Sequence, residues 1–323
     1  MPNDQRNASL HGSYAVKGKT PKNLSASVRE RLSQAAKRNG EEFQYVLTRY
    51  ALERFLYRLS QSKHSDSFVL KGALLFQYWT KTAHRSTRDL DLLASGTPSI
   101  EHFEEVFREV CKTSVSDDGL DFLEGSIRGE QIKEGDEYQG IRIRGEAKLS
   151  NVKIPLQIDV GFGDAVTPGP TEIEYPAILD FPAPRLLAYN RETVVAEKFQ
   201  AMVQLGMTNS RMKDFFDVYS LSRDFEFNSE ELSAAIAATF KRRGTAYPED
   251  APLALSSEFY DEAAKKTQWN AFLRKGRIGS GTMELREVVT EIWNFLEPIV
   301  SSLRKGEPSR RRWSPEKKWA DLP

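Results

Sequence analysis

Residues 68–96, FVLKGALLFQYWTKTAHRSTRDLDLLASG, constrain the fold of this chain more than any other segment. A short apolar run, typical of a strand, meets Gly72 and continues into a segment with the pattern of a helix. A second strand is predicted to begin at Asp89, with another carboxylate at Asp91. Because side chains alternate along a strand, both carboxylates point to one face. Such like charges are costly unless a cation lies between them, so the spacing predicts a site for a divalent metal ion.

The residues around this pair favour phosphate binding. The turn at Lys71, Gly72 and Ala73 lies between a strand and a helix, where free backbone N–H groups can hold a phosphate. The cations and the hydroxyl group that immediately precede the pair belong to Arg85, Thr87 and Arg88. A tight turn that requires glycine, and a solvated strand end, would explain the same residues without a ligand.

A third carboxylate, Asp159, ends the alternating run IPLQID and shares a face with Gln157. A polar residue at the end of a strand usually faces solvent. As the third carboxylate of a two-metal site, Asp159 could instead act as a base on an attacking hydroxyl.

The segment TVVAEKFQAMVQLGMTNSRMKDFFDVYSL carries further charges on two predicted helices. Lys198 lies within an apolar helix, where an ammonium group requires a partner or a ligand. Asp214 and Asp217 share one face of the next helix. Two interpretations stay open. Lys198 could form an ion pair with either aspartate, or Lys198 and Arg211 could contact a triphosphate while Asp214 orients the lysine.

Composition and proline spacing divide the chain into four segments. The predicted segments are a flexible arm over 1–23, an α/β domain over 24–180, a helical domain over 181–304 and a basic tail over 305–323. Five prolines between residues 168 and 184 mark the boundary between the two folded parts.

The charge balance excludes a uniformly basic nucleic-acid-binding protein, because the chain has 46 basic and 46 acidic residues. Residues 89–137 contain fourteen acidic and four basic residues, and the acidic stretch 101–137 would repel RNA. The candidate segments for RNA contact are basic and lie at 241–243, 274–277 and 310–313. A single cysteine excludes an internal disulfide, and no segment has the roughly 18 apolar residues of a membrane span. We therefore expect a cytoplasmic protein without a membrane partner.

The motifs LKGALLFQYW, RSTRDLDLL, IDVGFGD, AEKF and RMKDFFDVYSL, in this order, resemble those of the AbiEii/AbiGii family of nucleotidyltransferase toxins, which includes the MenT-type enzymes. The resemblance covers about residues 25–222. It implies an α+β fold in which a small mixed sheet of nucleotidyltransferase type carries helices and precedes an all-helical C-terminal half. It also implies the toxin of a toxin–antitoxin or phage abortive-infection system, with a cognate antitoxin as partner.

The resemblance also implies roles for individual residues. The predicted catalytic residues are Asp89, Asp91, Asp159, Lys198 and Asp214, the first three as metal ligands. The residues predicted at the nucleotide, from the motifs and the resemblance together, are Lys71, Gly72, Ala73, Arg85, Thr87, Arg211 and Asp217. Asp217 is also the alternative to Asp214 as the catalytic aspartate. Ala73 stands where related proteins carry serine, so a contact there must use the backbone N–H.

Better-understood members of this family use a nucleoside triphosphate (NTP) to add nucleotides, commonly pyrimidines, to the 3′ end of tRNA, which blocks aminoacylation. The resemblance therefore implies an enzyme that depends on Mg²⁺, or on Mn²⁺ in its place, with an NTP as substrate and tRNA or another RNA as acceptor. Nucleotidylation or phosphorylation of a protein would use the same site. A non-catalytic module on this fold could instead bind RNA or a partner protein. A glycosyltransferase is disfavoured, because only about 20 residues separate Phe68 from Asp89, too few for a doubly wound nucleotide-binding sheet.

Overall fold

The computed structural model of the protein describes residues 23–80, 85, 87–134, 137–276, 278, 283–316 and 318–321. The arm predicted over residues 1–23 lies outside this part of the chain except for Asn23. The side chain of Asn23 accepts a hydrogen bond from the backbone N–H of Ala26. Asn23 thereby caps the first helix, whose first N–H groups have no partner within the helix.

Helices and strands alternate in the first part of the chain. The helices described there are α1 (Leu24–Asn39), α2 (Phe43–Ser60), α3 (Leu75–Thr80) and α4 (Ile100–Lys112). The strands are β1 (Phe68–Lys71), β2 (Asp89–Ala94), β3 (Leu120–Phe122), β4 (Arg128–Glu134), β5 (Glu137–Leu149), β6 (Val152–Phe162), β7 (Thr171–Glu174) and β8 (Arg185–Ala188).

These strands form one mixed sheet in the order β3-β5-β6-β2-β1-β8-β7, with β4 also paired to β5. The pairs β2–β6 and β1–β8 are parallel, and the other pairs are antiparallel. Helices α2 and α4 bury their apolar side chains against this sheet, where the rings of Phe55 and Phe107 lie 5.5 Å apart. The predicted mixed sheet with packed helices is therefore confirmed.

The alternation predicted for β2 appears in the burial of its residues. Leu90 and Leu92 are fully buried in the core, whereas Asp89 and Asp91 on the opposite face are only partly buried. The apolar face of this strand packs against the helices. Because side chains alternate along a strand, both carboxylates lie on the other face of the sheet.

The second part of the chain is mainly helical, as predicted. Its helices are α5 (Arg191–Leu205), α6 (Met212–Asp224), α7 (Ser229–Arg242), α8 (Ser257–Asp261), α9 (Ala263–Gly276) and α10 (Leu285–Lys305). Their shared core includes the stacked rings of Phe215 and Phe259, whose centroids are 5.1 Å apart. Among the described residues, no helix combines the length and the apolar composition needed to cross a bilayer.

The described part of the segment predicted as a basic tail, 305–323, is not a loose tail. It folds back as a hairpin of β10 (Arg311–Ser314) and β11 (Lys318–Asp321), and β10 also pairs with β9 (Phe227–Asn228). Trp313 is 1% exposed, and its indole N–H donates a hydrogen bond to the carbonyl oxygen of Ser222. Its ring lies 4.9 Å from that of Phe295. The basic composition predicted a tail, but the buried ring of Trp313 and the indole of Trp319, which stacks on Phe295, hold the hairpin on the helices.

We expect Trp313→Ala to lower the free energy of unfolding by about 3–5 kcal/mol, because the buried indole is lost and a cavity remains. Urea unfolding followed by circular dichroism measures the change. Arg312→Ala removes an exposed neighbour on the same strand and should change the free energy by no more than about 0.5 kcal/mol. Equal unfolding midpoints for wild type and Trp313→Ala would contradict a structural role for the hairpin.

Candidate functional site

A row of charged side chains crosses four strands of the sheet. The register pairs Lys71 of β1 with Asp91 of β2. It pairs Asp91 with Asp159 of β6, and Asp159 in turn with Arg142 of β5. Directly paired residues share a face of the sheet, so the four side chains stand side by side. Asp89 lies on the same face, two residues before Asp91. The three predicted carboxylates are therefore neighbours.

Asp89 and Asp91 make no side-chain hydrogen bond or ion pair within the described part of the chain. Burial raises the pKa of Asp91 to about 6; the charges of Lys71 and Lys213 oppose this rise, and those of Asp159 and Asp89 add to it. Burial, followed by the charge of Asp159, also raises the pKa of Asp89. Two carboxylates in this situation would be stabilised in their charged form by a cation.

The donor atoms of this pair fit a hard divalent ion. Mg²⁺ prefers oxygen ligands and commonly binds through one or two carboxylates while its other positions hold water and phosphate oxygens. In the residues that the structure describes, no group of three or more histidine, cysteine or acidic side chains is arranged to hold a metal. The protein therefore offers Asp89 and Asp91 as a two-carboxylate site that is open to a phosphate ligand.

Asp159 lies beside the pair, but both of its oxygens are engaged. Nε and Nη2 of Arg142 each donate a hydrogen bond to one carboxylate oxygen at 2.8 Å. Bidentate pairs of this kind are among the stronger hydrogen bonds in proteins. The roles of Asp159 as third metal ligand and as base stay predictions, because in this structure Asp159 is the partner of Arg142.

Gly72 makes room for the carboxylate of Asp91. Its φ angle is +76°, and a Cβ atom there would lie 2.0 Å from Oδ2 of Asp91. Any side chain at this position would displace the carboxylate, so glycine is required by the contact as well as by the backbone conformation. The chain continues from here through the short turn Gly72–Leu74 into α3. The turn predicted to hold phosphate therefore lies directly against Asp91.

A cleft of about 950 Å³ opens between this face of the sheet and helices α5 and α6. The predicted residues that line it are Lys71, Gly72, Ala73, Arg85, Asp91, Lys198, Arg211 and Asp214. The predicted residues outside its lining are Thr87, Asp89, Asp159 and Asp217. Pockets of this size accommodate ligands as large as a nucleotide.

Lys198 is held by two aspartates of α6. Its Nζ donates to Asp214 and lies 2.8 Å from Oδ2 of Asp217. Burial alone would lower the pKa of Lys198, but the charges of Asp214 and Asp217 raise it above the ordinary value. The structure thus contains the ion pair of the first interpretation. An ammonium group has three N–H donors, so one of them is not used by these aspartates and can serve a ligand in the cleft.

Asp217 also anchors the residues that lead into β2. It is fully buried and accepts hydrogen bonds from Nε and Nη2 of Arg85 at 2.7 and 2.9 Å. Between Arg85 and Asp89, the hydroxyl of Thr87 lies 3.5 Å from the backbone nitrogen of Asp89. These contacts hold in place the residues that precede the carboxylate pair of β2.

Two acidic residues that were not predicted as site residues, Asp164 and Glu197, also line the cleft. Lys71 donates a hydrogen bond to Asp164 at 2.7 Å and lies 3.6 Å from Glu197. Arg243 pairs with Asp164 at 3.0 Å and with Glu197 at 3.8 Å. Asp164 and Glu197 belong to the motifs IDVGFGD and AEKF, the same motifs that contain the predicted residues Asp159 and Lys198, so a sequence signal for them is present.

The basic segments predicted as candidates for RNA contact lie in different surroundings. Arg242 and Arg243 line the cleft, and Nε of Arg242 donates to the carbonyl oxygen of Gly163 at 2.5 Å. The three consecutive arginines of the hairpin each face a carboxylate in the pairs Arg310–Glu230, Arg311–Asp321 and Arg312–Glu226. Lys213, at the start of α6, makes no hydrogen bond or ion pair among the described residues and acts electrostatically on both Asp89 and Asp91.

Comparison with known proteins gives a clear family match. A family described as "Nucleotidyl transferase AbiEii toxin, Type IV TA system" matches residues 54–291, well over half of the chain. Among solved structures, JHP933 from Helicobacter pylori has 15% identity and a TM-score of 0.49, covering 82% of this chain and 95% of its own. A second H. pylori protein has 16% identity and the same TM-score, covering 83% of this chain and 99% of its own. No curated protein matches the sequence.

We expect Gly72→Ala to abolish nucleotidyl transfer, because the new Cβ would overlap the carboxylate of Asp91. Gly96→Ala is the matched control, since Gly96 also has a positive φ, +99°, but a Cβ there has no neighbour within 4 Å. Both variants should lose about 1–2 kcal/mol of stability to backbone strain. Only Gly72→Ala should lose activity with labelled NTPs. Equal activity in the two variants would contradict the prediction that a Cβ at position 72 displaces the carboxylate of Asp91.

Proposed function

The chain belongs to the AbiEii family of nucleotidyltransferase toxins of toxin–antitoxin systems, and from this premise we propose that it transfers a nucleoside monophosphate from an NTP to the 3′-hydroxyl group of an RNA. The proposed acceptor is the 3′ end of tRNA, whose modification would block translation. The observation that carries the proposal is the pair Asp89 and Asp91, whose carboxylates have no ion-pair partner among the described residues and lie next to a glycine turn and a cleft lined in part by cations. A toxin of such a system has an antitoxin as partner.

The cleft supplies the positive charge that a triphosphate requires. Lys198, Arg211 and Lys213 line the side formed by α5 and α6, opposite the carboxylates. Lys213 is exposed, and its charge reaches both Asp89 and Asp91. A triphosphate placed between these cations and the turn at Gly72 would have its phosphates next to the carboxylate pair.

Asp89 and Asp91 are the residues that would hold Mg²⁺, or Mn²⁺ in its place. Such an ion, when bound, would offset the charge of the phosphates and favour ionisation of the attacking hydroxyl group. The residues of the chain would bind and orient the triphosphate. The turn at Gly72 would position its phosphates, and Lys198 and Lys213 would stabilise the negative charge that develops on the leaving pyrophosphate. Positioning and charge stabilisation are the main requirements of phosphoryl transfer.

In the proposed reaction the 3′-oxygen of the acceptor forms a bond to the α-phosphorus of the NTP. The bond from that phosphorus to the bridging oxygen breaks, and pyrophosphate leaves. The sequence predicts Asp159 as the acceptor of the hydroxyl proton. Each oxygen of Asp159 accepts one hydrogen bond from Arg142 and keeps a second lone pair, so Arg142 would hold the carboxylate in place while it accepts the proton.

Incubation of the protein with Mg²⁺, total tRNA and each α-³²P-labelled NTP in turn tests the proposal on a denaturing gel. We expect label on tRNA with at least one NTP, and loss of roughly a thousandfold or more in rate for Asp89→Ala, because the reaction depends on charge stabilisation at this pair. Asp121→Ala removes an exposed carboxylate of β3 and serves as control. Label on a polypeptide alone, or full activity of Asp89→Ala, would contradict the proposal.

The affinity for Mg²⁺ should fall as the pH drops through about 6. Burial raises the pKa of Asp91 to about 6, and a carboxyl group must lose its proton to bind a metal. Below this pH the affinity should decrease about tenfold per pH unit, one proton being displaced per ion bound. Calorimetric titration with Mg²⁺ between pH 5 and pH 8 measures the dependence. Asp91→Asn should bind weakly throughout, and a constant wild-type affinity across this range would show that Asp91 does not bind the ion.

A further inference from the structure

A second groove, of about 640 Å³, lies on the other side of the carboxylate pair. Asp91 lines the larger cleft, whereas Asp89 lines this groove. The two carboxylates therefore stand at the junction of two separate spaces. A junction of this kind suits a transfer reaction, in which an NTP and an acceptor must meet at the α-phosphorus.

The floor of the groove continues the sheet face that carries the site. Asp89 pairs with Gln157 of β6, and Gln157 pairs with Arg144 of β5, which forms a row two residues from that of Asp91. Gln44 and Thr48 of α2 form one wall. No described residue of α5 or α6 lines this groove, so its lining is separate from that of the larger cleft.

We propose that this groove binds the 3′-terminal nucleotides of a single-stranded RNA acceptor, an inference that rests on the proposed function. In-line transfer requires the attacking oxygen and the leaving pyrophosphate on opposite sides of the α-phosphorus. Pyrophosphate leaves toward Lys198 and Lys213, in the larger cleft. The attacking 3′-hydroxyl group therefore enters from the side of Asp89, which is the groove.

Two exposed arginines, Arg88 and Arg144, line the groove together with the carboxylates of Asp89 and Glu146, and Glu146 is paired with Lys153. The arginines are the groups that can contact the phosphates of an RNA. The side chains of Arg88 and Arg144 are 63% and 59% exposed and lie 3.7 and 2.8 Å from Glu42 and Glu130. Exposed ion pairs of this kind contribute little free energy, so a phosphate can replace the glutamate at little cost. Phosphate contacts from arginine position a nucleic acid without reading its sequence.

Neutral side chains offer contacts to the bases. The amide groups of Gln44 and Gln157 make no side-chain hydrogen bond among the described residues. Each amide can both donate and accept, as required for the Watson–Crick edge of an unpaired base. A single-stranded end, whose bases are free of pairing, fits this lining.

Arg144→Glu and Arg185→Glu form a matched pair of variants. Both arginines lie on strands, contact a glutamate at 2.8 Å and are similarly exposed, at 59% and 70%, but Arg185 lies on β8, which contributes no residue to the groove. Arg144→Glu should raise the KM for tRNA and the Kd for a short oligoribonucleotide roughly tenfold or more. Its slope of log Kd against log salt concentration should decrease by at least about 0.7, the value for one lost phosphate contact with a single strand. NTP affinity should not change, and Arg185→Glu should behave as wild type.

Photocrosslinking locates the RNA end independently of activity. An oligoribonucleotide with 4-thiouridine at its 3′ terminus, irradiated on the full-length protein, should crosslink to peptides that contain 44–48 or 155–157. Crosslinks confined to the hairpin at 310–314 would overturn the assignment. If wild type labels tRNA while Arg144→Glu and Arg185→Glu have the same KM for it, only the groove is wrong. If wild type labels no RNA, or labels a polypeptide instead, the proposed function fails and the groove assignment with it.

Discussion

Parallel pairing of β2 with β6 sets Asp91 directly beside Asp159, and this repulsive contact is the constraint that the rest of the site must satisfy. Lys71 and Arg142 close the two ends of the row with positive charge, and Arg142 neutralises Asp159 through two hydrogen bonds. Among the described residues, no strand gives Asp91 a hydrogen-bonded cation of this kind, and burial raises its pKa to about 6. A buried carboxylate in this state favours whatever cation reaches it, which is the physical basis of a metal site.

The helical part of the chain places cations opposite this face of the sheet, and buried ion pairs fix their positions. Asp217 is fully buried between Lys198 of α5 and Arg85 of the segment that leads into β2. One buried carboxylate therefore connects the helices to the strand that carries Asp89 and Asp91. Breaking such a buried pair typically costs about 3–5 kcal/mol, because an uncompensated charge is left behind. Positions on the two sides of the cleft are fixed relative to each other by this connection.

Local patterns in the sequence predicted those features of the site that are set within a single strand or helix. The period of two placed Asp89 and Asp91 on one face, and the apolar surroundings of Lys198 required a partner for it. The pairing of Asp159 with Arg142 was not visible, because strand register depends on how whole strands align and not on neighbouring residues. Arg243 reaches Asp164 over a separation of 79 residues, for which the sequence carries no local signal. The tail was misjudged for a related reason, since the burial of Trp313 depends on helices far earlier in the chain.

The order of these elements along the chain divides the site into two consecutive pieces. A fragment that ends before Arg191 keeps all three carboxylates of the sheet but lacks Lys198, Lys213 and Arg243. The complementary fragment keeps these cations and has no carboxylate pair to hold a metal ion. The turn at Gly72 and the cations of α5 and α6 therefore face each other across the cleft only when both pieces of the chain are folded together.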